Sequence, residues 1–197
     1  MAKLTVVNHV TLDGVMQSPA APDEDVRGGF EHGGWAVAGN DEVLAATMAE
    51  RMAAGGGGRR GGLLLGRRTY EHFYGVWPHR TDNPYTEVLN RTTKYVASRT
   101  LSEPLPWQNS VLLGGDAAQA VAELKEQPVG DLTILGSGEL IGSLMAAELI
   151  DAFLLVIHPL VLGTGRRLFP QRVPAALRLT DSVVTTTGVV IATYERG

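Results

Sequence analysis

Short runs of leucine and β-branched residues alternate along the chain with longer stretches in which apolar positions recur three or four apart. That alternation predicts strands interleaved with helices, the pattern of an α/β domain. "KLTVVNHVTL" (residues 3–12) reads as a strand that stops at the turn pair Asp13-Gly14. Residues 19–39, "PAAPDEDVRGGFEHGGWAVAG", hold no period and are rich in Pro, Gly and acid, so they read as a long loop. A loop of that length inside a compact domain usually has a function, such as covering a site. "NDEVLAATMAERMAA" predicts a helix capped by Asn40 or Asp41, with Val43, Leu44, Thr47, Met48 and Met52 on one side. "GGGGRRGG" breaks it, "LLL" (63–65) is short enough for a buried central strand, and Gly66 leads into a helix starting near Thr69.

The rhythm continues to the end. Pro84 opens a short helix behind Asn83, "TKYVAS" is a strand, and "DAAQAVAELKEQ" is a helix capped by Asp116 that buries Val121 and Leu124. "DLTILGSGELIGSLMAAELID" reads strand, glycine turn, helix; "AFLLVIHPLVLG" is a strand running into the loop "GTGRRLF"; and two strands meet around Thr187-Gly188. With no repeat and no linker, residues 1–197 are expected to form a single domain.

Composition removes several function classes. Net charge is −4, so no global positive field draws in nucleic acid or an anionic membrane, and any anion must be met locally. With no cysteine there are no disulfides, thiolate metal sites or cysteine nucleophiles. The start "MAKLTVVNHV" lacks the form of a signal peptide, and no apolar run reaches the ~18 residues of a membrane span. A soluble, cytoplasmic protein is expected. The five histidines form no H-E-x-x-H, and His72 and His79 lie seven apart across Gly75 and Pro78, so no metal site is predicted. Ser137 in "GSGEL" lacks the spacing of a nucleophile elbow.

A phosphate is held most readily where a strand ends and a helix begins, because the first helical N–H groups are unpaired and the dipole is positive there. Two segments have that context. In "LTILGSGELIGSL" the amides of residues 137–140 would face a pyrophosphate, although Glu139 stands beside them; in "LLLGRRTYEHF" Thr69 caps a helix and Arg67 and Arg68 offer guanidinium groups. For both, a plain tight turn is the alternative. "GGGGRRGG" has no Walker ending and no strand before it, so it reads as a loop that binds nothing.

In order and separation, "LLLGRRTYE", "TKYVASRT", "LTILGSGELI" and "LVLGTGRRLF", with the Thr-Leu-Asp-Gly of "VVNHVTLDGVM", resemble the dihydrofolate reductase-like superfamily, in the branch of the RibD C-terminal reductase domain. The resemblance implies a mixed, mainly parallel sheet flanked by helices with an antiparallel C-terminal hairpin, and NADPH across the carboxyl ends of the strands. By motif, Gly66, Arg67, Arg68 and Thr69 would grip the pyrophosphate and the adenosine 2′-phosphate, with Ser98 and Arg99 on the other side of that phosphate. Gly136, Ser137, Gly138, Glu139, Leu140 and Ile141 would cradle the pyrophosphate and nicotinamide ribose, and the backbone at Asn8 would hold the carboxamide. The arginines favour NADP over NAD. The acid that protonates the pterin in dihydrofolate reductases has only loose counterparts, Glu31, Asp41 and Glu42.

The implied activity is NADPH-dependent hydride transfer to a small planar N-heterocycle, a ribosylaminopyrimidine or a pterin. The alternative is a non-catalytic NADP(H)-binding or interaction protein. Hydride transfer asks for one proton donor near the acceptor, and Asp13 is the first candidate. A turn-capping role is the alternative for Asp13. Phe30, Trp35 and Trp77 are candidates to stack on the heterocycle, against ordinary packing. His9 and His158 read as packed, hydrogen-bonded core residues, and Glu31 and His32 lie on the loop that could cover the site. The family likeness also makes a homodimer the expected assembly, and neither nucleic acid nor membrane is an expected partner.

Overall fold

A computed structural model of the chain describes residues 1–55, 61–81, 83, 85–169 and 173–197, with residues 52–55 described by their backbone alone. The glycine break at 56–60, the Met52 side chain and the helix start at Pro84 therefore lie outside the described residues. Eight strands are present among those described: β1 (Leu4–Thr11), β2 (Gly62–Gly66), β3 (Thr93–Ala97), β4 (Ser110–Leu113), β5 (Leu132–Leu135), β6 (Ala152–His158), β7 (Leu177–Val184) and β8 (Val190–Arg196). The helices are α1 (Glu42–Gly55), α2 (Arg67–Val76), α3 (Tyr85–Arg91), α4 (Ala117–Glu126) and α5 (Gly138–Ala146). The strands form one mixed sheet in the order β4-β3-β2-β5-β1-β6-β8-β7, mostly parallel and closing with an antiparallel C-terminal pair. That is the expected fold class.

The chain divides into two compact units. The first comprises Met1–Thr5 and Gly56–Leu149. At its centre lies β2, whose Leu63, Leu64 and Leu65 are 5%, 0% and 0% exposed. A strand buried on both faces needs a continuous apolar run, and "LLL" supplies it. β2 pairs in parallel with both β3 and β5, and β3 with β4, so the carboxyl ends of these strands share one edge, with Gly66 level with Ala97 and Ala97 level with Leu113. β4 was not anticipated: its four residues, "SVLL", are only half-buried or exposed. Below β2 and β3, Leu63, Leu65, Tyr70, Val96 and Trp107 form a core against which Phe73, Tyr74 and Trp77 pack, so Trp77 is a packing residue. Asp116 caps α4 by accepting from the Gln119 amide at 3.0 Å, and Val121 and Leu124 are buried, as the periodicity indicates.

The second unit comprises Val6–Gly55 and Ile150–Gly197. β8 lies between β6 and β7, antiparallel to both, and the turn at Thr187-Gly188 closes the hairpin. β7 is the outer strand and carries a bulge between Leu179 and Asp181, where Arg51 of α1 pairs with Asp181. Asp41 caps α1 through the Leu44 amide at 2.7 Å, and its other oxygen accepts from the Thr186 amide and hydroxyl at 2.8 and 2.6 Å. Two single-turn 3-10 segments, Arg27–Gly29 and Val37–Gly39, lie within the long loop. Gln17 holds its root: the side-chain amide donates to the carbonyls of Asp25 and Arg27 at 3.0 and 2.9 Å. Among the described residues no helix is long and apolar enough to cross a membrane.

Candidate functional site

The first unit brings the two glycine turns into contact. The Gly66 amide at the end of β2 donates to Ser137 Oγ at 2.9 Å, and the Ser137 amide donates to Thr69 Oγ1 at 3.1 Å. The Ser137 hydroxyl lies 3.0 Å from Thr69 Oγ1 and 3.1 Å from the Leu135 carbonyl, the two acceptors open to it. Thr69 thus does not cap α2, contrary to the local reading. The helix begins two residues earlier, at Arg67, with Gly66 as its cap, and the Thr69 hydroxyl reaches across to the neighbouring turn instead.

The turn before α5 needs two successive left-handed residues, Gly136 (φ +58°) and Ser137 (φ +61°). Glycine is suited to the first for a second reason: a Cβ there would lie 3.3 Å from Thr69 Cγ2 and Oγ1. Neither α2 nor α5 has a side-chain cap, so two helix N-termini at the ends of adjacent parallel strands offer first-turn N–H groups to an anion. The predicted cradle is shorter than 136–141. The Ser137 amide is taken by Thr69, and the Ile141 amide bonds the Ser137 carbonyl within the helix at 3.0 Å. By helix geometry the amides of Gly138 and Leu140 have no intrahelical acceptor, and Leu140 offers its backbone alone because its side chain is buried.

Charge gathers at the same edge. Arg67 and Arg68 open α2; Arg68 is exposed, and Arg67 meets Glu71 at 3.5 Å, both half-exposed. Such a surface pair is worth about 0–1 kcal/mol, less than the ~1.5–3 kcal/mol of a charge-assisted bond to a phosphate, so Arg67 is easily drawn to an anion. Arg99 is exposed two residues beyond Ala97, the residue level with Gly66. The Ser98 hydroxyl accepts from the Thr100 and Leu101 amides at 3.1 Å each, which turns the chain after β3 and uses its lone pairs while its O–H remains a donor. Beside Glu71, Glu139 adds an acid at this edge, exposed in the first turn of α5.

Asn8, Asp13, Phe30 and Trp35 belong to the second unit. Asn8 is buried on β1. Asp13 is held as a hydrogen-bond acceptor. Its carboxylate accepts from the Thr11 hydroxyl at 2.6 Å and from the Gly163 and Leu162 amides at 2.9 and 3.2 Å, with Arg167 3.5 Å away. The Thr11 bond above all, and the two amides, hold its pKa at about 2, so it carries no proton to give at neutral pH. Asp41 is likewise held at about 2, by the Thr186 hydroxyl first and then the Leu44 amide. Glu31 and Glu42 are exposed. Trp35 donates its ring N–H to the Gln17 carbonyl at 2.7 Å and stands edge-on to His158, which commits it to packing.

His9 Nδ1 and His158 Nε2 lie 2.9 Å apart in one shared hydrogen bond, as expected of core histidines. Burial, then the neighbouring His158, pulls His9 down to about 4, and burial lowers His158 as well, so the pair is neutral at pH 7.

Two cavities flank this turn region of the second unit. One, of about 230 Å³, is lined by Gln17, Arg27, Gly28, Phe30, Thr164, Gly165 and Arg166. Phe30 is only 4% exposed, and a Cβ on Gly165 (φ +107°) would lie 2.7 Å from its ring, so it forms the floor of the cavity and is no open stacking platform. The other, of about 380 Å³, is a mainly apolar groove along Val10, Leu12, Leu155, Ile157, Phe169 and Leu177, with Thr11, Asp13 and Tyr194 as its polar members. The roles of Gln17 and Arg166 had no sequence signal, since their partners are distant along the chain.

The mixed sheet with its antiparallel C-terminal pair, and the paired turns at the ends of β2 and β5, define an α/β protein of the dihydrofolate reductase-like class. Two solved structures align with the whole chain. A candidate riboflavin biosynthesis protein from Shewanella sp. PV-4 matches with a TM-score of 0.67 at 22% identity, over 100% of this chain and 99% of that one. A pyrimidine reductase-like protein from Corynebacterium diphtheriae matches with a TM-score of 0.65 at 12% identity, over 100% and 92%. The chain belongs to the RibD C-terminal domain family, which matches residues 2–192. Two Bacillus subtilis (strain 168) proteins are similar in sequence. YyaP is 30% identical over 140 residues, 67% of this chain and 72% of that protein. YwjB is 33% identical over 111 residues, 55% and 58%.

Proposed function

We propose that the protein is an NADPH-dependent reductase acting on a small planar N-heterocycle. The observation that carries the reading is the mutual bonding of Gly66, Thr69 and Ser137, which sets two uncapped helix N-termini side by side among arginines. The residues fit a dinucleotide: backbone amides at the start of α2 and of Gly138 and Leu140 for the pyrophosphate, and Arg67, Arg68 and Arg99 for a 2′-phosphate. When bound, NADPH supplies the hydride. Family membership and a pyrimidine reductase-like fold neighbour support the same class of activity.

In the second unit, the cavity of about 230 Å³ is read as the acceptor pocket. It falls below the ~300–1,000 Å³ usual for whole ligands, which favours enclosure of a single pyrimidine ring over a bicyclic pterin. Asp13 and Asp41 are ionised and the histidine pair is neutral and mutually bonded, so the proton accompanying reduction comes from water entering the open cavity. Titration of the protein with NADPH and NADH, followed by tryptophan fluorescence, tests the cofactor reading. NADPH should bind at least about tenfold more tightly, the worth of one charge-assisted bond, and no response to either at millimolar concentration would end the proposal. Oxidation of NADPH at 340 nm with aminopyrimidine, pterin and flavin acceptors then tests catalysis; binding without turnover would identify a non-catalytic NADP(H)-binding protein.

A further inference from the structure

We infer that Asp13 is a positioning residue, whose carboxylate latches the segment 162–168 onto the turn after β1 and thereby fixes one wall of the cavity lined by Thr164, Gly165 and Arg166. The inference rests on the reading of that cavity as the acceptor pocket. The wall is pinned at both ends. At one end Asp13 accepts from the successive Leu162 and Gly163 amides at 3.2 and 2.9 Å. At the other, Gln17 Oε1 accepts from the Arg166 amide at 2.9 Å. Thr164 and Gly165 span the interval and line the cavity.

The backbone on either side repeats the arrangement. The Met16 amide donates to the Arg166 carbonyl and the Leu168 amide to the Gly14 carbonyl, each at 2.9 Å, while Arg167 Nε donates to the Asp13 carbonyl at 2.8 Å. Those bonds set the two segments side by side, but they leave Leu162 and Gly163 to the side chain. Only a carboxylate suits the position: it presents two acceptor oxygens to two amides and the Thr11 hydroxyl together. An asparagine offers one oxygen and turns an NH2 group toward a donor. Gln17 is fully used in the same structure, its NH2 on the Asp25 and Arg27 carbonyls and its oxygen on Arg166, so the wall has no slack to take up at its far end.

The test compares the parent with Asp13→Asn and, as a milder variant that keeps the carboxylate, Thr11→Val. By hydrogen exchange, Asp13→Asn should accelerate the Leu162 and Gly163 amides by about tenfold or more, the worth of a hydrogen bond to a charged group; exchange of β2, β5 and α5 should stay unchanged. Thr11→Val should give a smaller change in the same direction. NADPH affinity should stay within about twofold of the parent, and with any acceptor that turns over KM should rise more than kcat falls. Unchanged exchange at 162–163 in a folded Asp13→Asn protein would overturn the inference. So would acceleration spread evenly over both units, or a loss confined to kcat. If the parent binds no NADPH, the reductase reading falls while the exchange experiment still decides whether the latch exists.

Discussion

Replacing Ser137 by alanine removes one hydroxyl that serves both turns, and the cost follows from its partners. The hydroxyl accepts from the Gly66 amide at 2.9 Å and donates to Thr69 or to the Leu135 carbonyl, at 3.0 and 3.1 Å. Two net hydrogen bonds at about 0.5–1.5 kcal/mol each amount to about 1–3 kcal/mol, and the half-buried setting, where water can replace part of the loss, places the value toward the lower end. The left-handed φ of +61° is retained by alanine, so backbone strain does not offset the loss. Thr69→Val keeps the side-chain shape and removes the acceptor of the Ser137 amide. Because the two residues share a bond, the double variant should be less destabilised than the sum of the singles, by about 0.5–1.5 kcal/mol. Urea unfolding of the four proteins gives all the terms, and NADPH titration of the same set should show weaker binding in each variant. Additive destabilisation, or a Ser137→Ala variant within about 0.5 kcal/mol of the parent, would refute the claim that this contact joins the turns.

The arginine edge makes a second prediction: Arg67→Ala combined with Arg99→Ala should weaken NADPH by at least about tenfold and leave NADH nearly unchanged, as parallel fluorescence titrations would show. Gly165→Ala should destabilise by about 2–4 kcal/mol, since alanine must adopt φ +107° and place its Cβ 2.7 Å from Phe30 and 2.8 Å from Val15; denaturant midpoints measure it. The histidine pair predicts a pH profile. The folded protein binds the His9 proton only near pH 4, against 6.5 for the unfolded chain. The stability it contributes is therefore complete above pH 6.5 and is lost as pH falls toward 4, at up to about 1.4 kcal/mol per unit or about 3 kcal/mol in all. Asp13 and Asp41, held at about 2, lose their contributions only below pH 3.8. Unfolding midpoints between pH 7 and 4.5 should slope for the parent and flatten in His9→Gln.

Much of the first unit was legible because its signals are local. "LLL" between glycines can be little other than a buried central strand, and Asp116 caps the helix that follows it, as Asp41 does in the second unit. Reading failed where a side chain had two suitors. Thr69 has a helix cap within three residues and Ser137 at a separation of 68 along the chain, and the distant partner prevailed. Asp13 stands in a strong turn signal, yet two of its partners, the Leu162 and Gly163 amides, lie 149 and 150 residues away and have no local signature. β4 escaped because a half-exposed strand of four residues has too little pattern to register.

The division of the chain carries a consequence for synthesis. Residues 56–149 emerge between the two halves of the second unit, so the apolar strand β1 leaves the ribosome well before its neighbour β6 exists. At translation rates of about 5–20 residues per second that interval is on the order of ten seconds. During it, Val6, Val7 and Val10, buried in the finished fold, wait without native cover from the C-terminal half of the chain.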